Sequence, residues 1–305
     1  MNEFKKLLVM LLLTPLILSA CATKTSSGEV AQNIKIVTTF PPLHSFVSNL
    51  AANDLAEITN LVPPGASVHT WEPSASALRA LSDADLLVMN GLGLEPFIED
   101  LIESVQNPSL TIVVTSDAVH DDLEESHEDH HHHGDADPHT WLSPRLAVKQ
   151  VSAISDALIK IDPDNAEIYK ANTVTYVAQL QILDKEIREK LNAVTMKDFI
   201  VFHDAYAYYL ASYGLDIYKK AAIEPFPGKE PTAAYFQGLI ELIEDHAVSI
   251  IFTEPQFNPR VVQNIQEETE ASSFEIDPIG LELSREGYEN NLRAITDTFI
   301  QAFTQ

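Results

Sequence analysis

The chain has 305 residues, of which 45% are hydrophobic and 21% charged, and its formal net charge is −26 at pH 7. A chain this acidic offers no basic surface to neutralise phosphates, which argues against nucleic acid as a partner, while the same acidity suits attraction of cations and, equally, plain solubility. A single cysteine excludes an internal disulfide.

In chain order, residues 1–20 predict a signal peptide: Lys5 and Lys6 precede an apolar run from Leu7 to Leu18, and small residues follow. The run is too short to span a bilayer comfortably. It ends in Leu18-Ser19-Ala20-Cys21, which resembles the bacterial lipobox, where the cysteine is acylated and becomes the first residue of the mature protein. The expected product is extracytoplasmic and held to the membrane by a lipid on Cys21, with 21–33 as a tether without hydrophobic periodicity. Loss of residues 1–20, with two lysines and one glutamate, takes the charge from −26 to −27.

Short β-branched runs at 34–40, 57–62, 85–90 and 111–115 alternate with amphipathic stretches at 43–52, 74–81 and 95–105, and a further helix is expected over 143–160. Strands alternating with helices predict a parallel sheet covered on both faces, here an N-terminal α/β lobe over 34–161. Within it lies an acidic segment, 120–137, containing His127, His130, His131, His132 and His133. Its composition cannot build a packed core, so it reads as a surface loop. Clustered imidazoles among carboxylates suit auxiliary binding of borderline metals, against the plainer reading of a solvated charge run.

Residues 162–194 predict one long linking helix. Asp162-Pro163 supplies a cap and a first-turn proline, and no glycine or proline interrupts the segment before Asn192. Ile168, Ala171, Thr175, Ala178, Ile182 and Ile187 keep helical spacing and are expected to form its inward face. The remainder, 195–305, repeats the first plan, with runs at 199–202, 216–221, 249–252 and 274–277 and helices at 205–212, 232–245, 259–270 and 284–303. The fold class expected is therefore α/β: two lobes, each a mainly parallel four-stranded sheet flanked by helices, joined by a single helix.

Candidate functional residues stand just beyond predicted strands, where the sites of open α/β sheets gather. They are His69 in Val68-His69-Thr70-Trp71-Glu72-Pro73, His139 in Asp137-Pro138-His139-Thr140-Trp141, His203 in Phe202-His203-Asp204, and Asp277 in Ile276-Asp277-Pro278. Both tryptophans of the protein fall in the repeated tripeptide His-Thr-Trp. Three neutral imidazoles and one carboxylate form a closed set of the kind zinc favours. Glu254 is an alternative oxygen ligand, or an acceptor for an imidazole N–H, ranked below Asp277. His44, His120 and His246 are expected to be structural or peripheral.

These motifs carry a resemblance. Thr38-Thr39-Phe40-Pro41-Pro42, the His-x-x-Glu-Pro pattern at His69, Asp-Pro-His-x-Trp at His139, the histidine after the second lobe's first strand, Phe252-Thr253-Glu254-Pro255-Gln256 and Asp277-Pro278 resemble the zinc and manganese solute-binding lipoproteins of bacterial ABC importers, sometimes called cluster A-I. The resemblance implies metal held in the cleft between the lobes by His69, His139, His203 and Asp277, and delivery to an ABC permease by a monomer without enzymatic activity. Members of that family with glutamate at the third position look like manganese binders, whereas His203 and the histidine-rich loop point to zinc. The competing expectations are a manganese or iron binder of the same family, an adhesin-like surface lipoprotein, and a secreted zinc hydrolase. The last would need three protein ligands and an open metal position for activated water, which Asp277 as fourth ligand would close.

Overall fold

A computed structural model describes residues 33–52, 55–120, 137–224, 228 and 231–305. The expected signal peptide, Cys21 and His127, His130, His131, His132 and His133 lie outside the described residues.

The N-terminal sheet contains β1 (Ile34–Thr38), β2 (Ala56–Asn60), β3 (Leu86–Met89) and β4 (Thr111–Val114), all parallel in the order β2-β1-β3-β4. Of its central strands β3 is a continuous apolar run, and β1 admits Lys35 only at its half-buried start, because both faces are covered; Ile36, Val37, Leu86, Leu87 and Val88 are all buried. The covering helices are α1 (Pro41–Leu50), α2 (Ala75–Ser82), α3 (Ile98–Val105) and α4 (Pro144–Ile161). Local chemistry starts two of them: α1 opens on Pro41-Pro42, which lack the N–H groups a first turn leaves unused, and the Ser74 hydroxyl accepts from the Ala77 N–H to cap α2.

The linking helix α5 (Ala166–Leu191) follows a separate 3-10 turn at Pro163–Asn165, so it begins later than expected. Its 26 residues span roughly 39 Å. The stripe assigned to its inward face is corrected here. Ile168, Ala171, Thr175, Ala178 and Ile182 face outward, with Ile182 64% exposed, and Ile187 alone of that set is buried. The inward face is Tyr169, Tyr176, Leu180, Leu183, Ile187 and Leu191. Both stripes satisfy a helical period, and the second wins because tyrosine and leucine remove more apolar area from water than alanine and threonine do.

In the C-terminal lobe, β5 (Phe199–His203), β6 (Lys219–Glu224), β7 (Ile250–Thr253) and β8 (Ser272–Glu275) repeat the same topology, β6-β5-β7-β8, again parallel. They are covered by α6 (Ala207–Tyr213), α7 (Ala233–Asp245), α8 (Arg260–Glu268) and α9 (Gly287–Thr304). The strand expected over 216–221 sits three residues later, and Asp216–Tyr218 forms a 3-10 turn instead. The last strand ends at Glu275, which leaves Ile276-Asp277-Pro278 in the loop beyond it.

One apolar cluster runs through the whole unit from Asn33 to Gln305, joining β1, α1 and α4 to β5, β7 and α9 by way of the inward face of α5. A smaller cluster lies on the other face of the second sheet; Phe199 and Val201 enter the first, Ile200 and Phe202 the second, as strand alternation requires. Polar bonds reinforce the junction, for Ser45 Oγ and Asn49 Nδ2, both on α1, donate to the Arg285 carbonyl at 2.8 and 2.7 Å. No helix among the described residues is long and apolar enough to cross a membrane.

Candidate metal centre

Three of the four singled-out residues meet where the two sheets approach. His203 is the last residue of β5, His139 precedes the short 3-10 turn Thr140–Leu142 that leads into α4, and His69 lies in the turn-rich segment between β2 and α2. Each offers one ring nitrogen, and these nitrogens lie within 4.8 Å of one another. The Nε2 atoms of His69 and His139 are 3.3 Å apart. Two nitrogens at ~2.0–2.1 Å from a tetrahedral zinc are themselves about 3.3 Å apart, so this pair already has the spacing of a chelate.

Carboxylates orient two of the rings. Asp137 Oδ1 accepts from His139 Nδ1 at 2.6 Å and from the His139 backbone N–H at 3.0 Å. With its proton on Nδ1, the ring turns the Nε2 lone pair to the cleft. His203 Nδ1 lies 3.2 Å from Glu254 Oε2, and His203 Nε2 is buried without a partner. Burial alone would depress the His203 pKa, but Glu254, with Asp137 and Asp204 behind it, outweighs burial and raises it. Burial raises the Glu254 carboxyl in turn, against the pull of His203. Thus Glu254 stands as the imidazole acceptor considered from sequence.

His69 differs. Burial, then the imidazoles of His139 and His203, push its pKa down to about 3, with Asp137 opposing. It is therefore neutral throughout the physiological range, which is the state that coordinates.

The segment that carries His139 is itself pinned from behind. Asn90 Nδ2 donates to the Pro138 carbonyl at 2.8 Å, and Gln150 Nε2 donates to Thr140 Oγ1 at 3.1 Å. From the other lobe, the Tyr208 hydroxyl donates to the Asp137 carbonyl at 2.9 Å. Sequence reasoning missed Asp137 as a partner, hidden in an acidic run; its only signal was its place two residues before an isolated histidine.

Asp277 is not within the three-imidazole group. Its Oδ1 accepts from Gln256 Nε2 at 2.7 Å and from the Ile279 N–H at 2.9 Å, while Oδ2 is buried and has no partner. The residues next to it, Pro278 and Ile279, line one small pocket with the three histidines, Glu254 and Gln256. His203 Nε2, Glu254 Oε1, Gln256 Oε1 and Asp277 Oδ2, four buried atoms able to accept and left without a partner, belong to this neighbourhood. Unsatisfied buried acceptors are costly, and a cation would satisfy such a set.

His44 and His246 lie away from this group: His44 Nδ1 faces Ser48 on α1, and His246 follows the last turn of α7. His120 ends the 3-10 turn after β4.

The family described as zinc-uptake complex component A periplasmic, ZnuA, matches residues 36–302. The chain belongs to the ZnuA family. It is 32% identical to the high-affinity zinc uptake system protein ZnuA of Bacillus subtilis over 85% of this chain and 83% of that one. It is 30% identical to the manganese-binding lipoprotein MntA of Halalkalibacterium halodurans over 95% of both. It also matches streptococcal zinc-binding proteins, of which it spans about half the length. Among solved structures, a crystal structure of ZnuA superposes with a TM-score of 0.75 at 28% identity, covering 88% of this chain and 99% of that one. The two-lobed fold with its linking helix is that of the family.

Proposed function

We propose that this chain is the extracytoplasmic zinc-binding protein of an ABC importer, anchored by lipid on Cys21, capturing one zinc ion and handing it as cargo to the permease. In this reading residues 1–20 are the signal peptide, 21–33 the tether, 34–161 the first lobe, 162–194 the link and 195–305 the second lobe. His69, His139, His203 and Asp277 are the ligands, and the histidine-rich segment 120–137 is an auxiliary collector. The protein acts as a monomer and catalyses nothing, since four protein ligands leave no position for an activated water.

The observation that carries the reading is the meeting of three neutral-capable imidazoles from both lobes, two with Nε2 atoms 3.3 Å apart. Asp137 and Glu254 hold the Nδ1 atoms of His139 and His203, so zinc meets two lone pairs whose orientation is already fixed. His69, neutral because its pKa is about 3, supplies the third. Asp277 completes the set by turning its unpartnered Oδ2 toward the ion and releasing the Gln256 amide. A site with three nitrogens and one carboxylate favours zinc over manganese, which prefers oxygen.

Competition titration of the mature protein with zinc and manganese tests this. One tight zinc per chain, not displaced by excess manganese, is expected; tighter binding of manganese would overturn the choice of metal in favour of the manganese-binding relative's behaviour.

A further inference from the structure

Trp141 is buried to 1% exposure, and its indole N–H donates to the Pro278 carbonyl at 2.8 Å. Pro278 follows Asp277 directly. The Trp141 carbonyl accepts from the hydroxyl of Tyr288 on α9 at 2.6 Å. The indole stands edge-on to Phe40 at 4.6 Å, just past β1, and 5.2 Å from the His139 ring. One side chain of the first lobe thus touches the exit of β1, the His139 segment and the Asp277 segment. The other bonds holding Asp277, from Gln256 and the Ile279 N–H to Oδ1 and from Asn291 Nδ2 to the Asp277 carbonyl at 2.8 Å, come from the second lobe.

We propose that Trp141 is a positioning residue for metal binding: its indole N–H joins the backbone that carries Asp277 to the segment that carries His139, and so sets the distance between ligands of opposite lobes. This rests on the reading of Asp277 as the fourth ligand. Parting the lobes here would break this bond and bring the buried indole of Trp141 into water, which favours keeping the backbone in place. Turning the Asp277 side chain, by contrast, breaks only the bonds that Oδ1 accepts from the Gln256 amide and the Ile279 N–H, while Oδ2 has none to lose. The fourth ligand therefore arrives by rotation of a side chain on a fixed backbone, without movement of a lobe.

A mutant cycle of Trp141→Phe, Asp277→Asn and the double variant in the mature protein tests this, with zinc affinity read by chelator competition and ligand geometry by the visible absorption of bound cobalt(II). Phenylalanine keeps an aromatic ring against Phe40 and removes the donor together with one fused ring, and the Asp277→Asn background separates loss of the bond from loss of packing. Expected is an affinity loss of about 10–100-fold for Trp141→Phe, the range for outer partners of metal ligands. The cobalt bands should change, and the loss should vanish in the Asp277→Asn background. An equal loss in both backgrounds, or unchanged affinity and cobalt bands in Trp141→Phe, would overturn the proposal. If Asp277→Asn alone left zinc affinity unchanged, the ligand assignment would fail and the positioning role with it. Should Trp141→Phe not fold, as judged by circular dichroism, the same cycle with Tyr288→Phe is expected to show a smaller loss that also depends on Asp277, and additivity there would overturn the role.

Discussion

The tripeptide His-Thr-Trp occurs twice, at 69–71 and at 139–141, and the two copies live in different surroundings. His139 is buried, held by Asp137 and backed by bonds from Asn90, Gln150 and Tyr208 to its neighbours. His69 is half-buried, and among the described residues the side chain hydrogen-bonded to its ring is that of His139. Trp141 reaches across to the second lobe, whereas Trp71, half-buried, packs on Phe97 of its own lobe at 4.7 Å. The same three residue types thus give one imidazole on a rigid mount and one on a looser one. What differs is the two residues before the motif, Asp137-Pro138 against Ser67-Val68, and what stands behind it.

Removing the rigid copy has the largest expected effect. His139→Ala should abolish tight zinc binding in calorimetric titration, a loss well beyond the ~100-fold that attends removal of an outer partner. Asp137→Asn should come next, at about 10–100-fold, because it takes the charged acceptor from Nδ1 and leaves His139 oriented little better than His69. A loss below threefold in the same titration would mean that the carboxylate does not set the ring.

The third test sets His69 against His203 by pH in the metal-free protein. His69 is depressed to about 3, so the unfolded chain, with histidine near ~6.5, binds its proton first. Its contribution to stability is present above ~6.5 and is lost as pH falls from there toward 3. His203 has the opposite sign, since its folded pKa is raised: its contribution is complete below ~6.5 and is lost as pH rises through the folded value. Thermal melts from pH 7.5 to 4 should therefore fall less steeply on the acid side for His69→Gln than for the unaltered protein. An unchanged acid slope would show that His69 is not held neutral by the fold. The smallest effect is expected for Trp71→Phe, with zinc affinity within about threefold in chelator competition, since its ring only packs within one lobe.

Much of the fold was legible because β-branched runs and turn residues mark parallel strands clearly; of the isolated histidines expected just beyond strands, His203 ends β5, whereas His69 lies well past the end of β2 and His139 well past the end of β4. Three things were not legible. The buried side of α5 was misread, since spacing identifies a face of a helix but not which of two faces meets the core; Tyr176 and Leu180 outweighed Ala171 and Ala178 only once the lobes were in place. The strand β6 lies at a sheet edge with one neighbour, and the alternation of Asp216-Ile217-Tyr218 imitates a strand three residues early. The side-chain direction of Asp277 depends on Gln256 and the Ile279 N–H, contacts that no spacing in the sequence encodes.

The apolar cluster that crosses α5 has a consequence for how such a molecule can be inherited. Severing the chain within that helix would strand Tyr176, Leu180 and Leu183 on a raw surface of either half. The repeated sheets look like interchangeable modules, yet neither half carries a complete interior, so recombination that swapped one lobe for a relative's would have to bring the matching side of the helix with it.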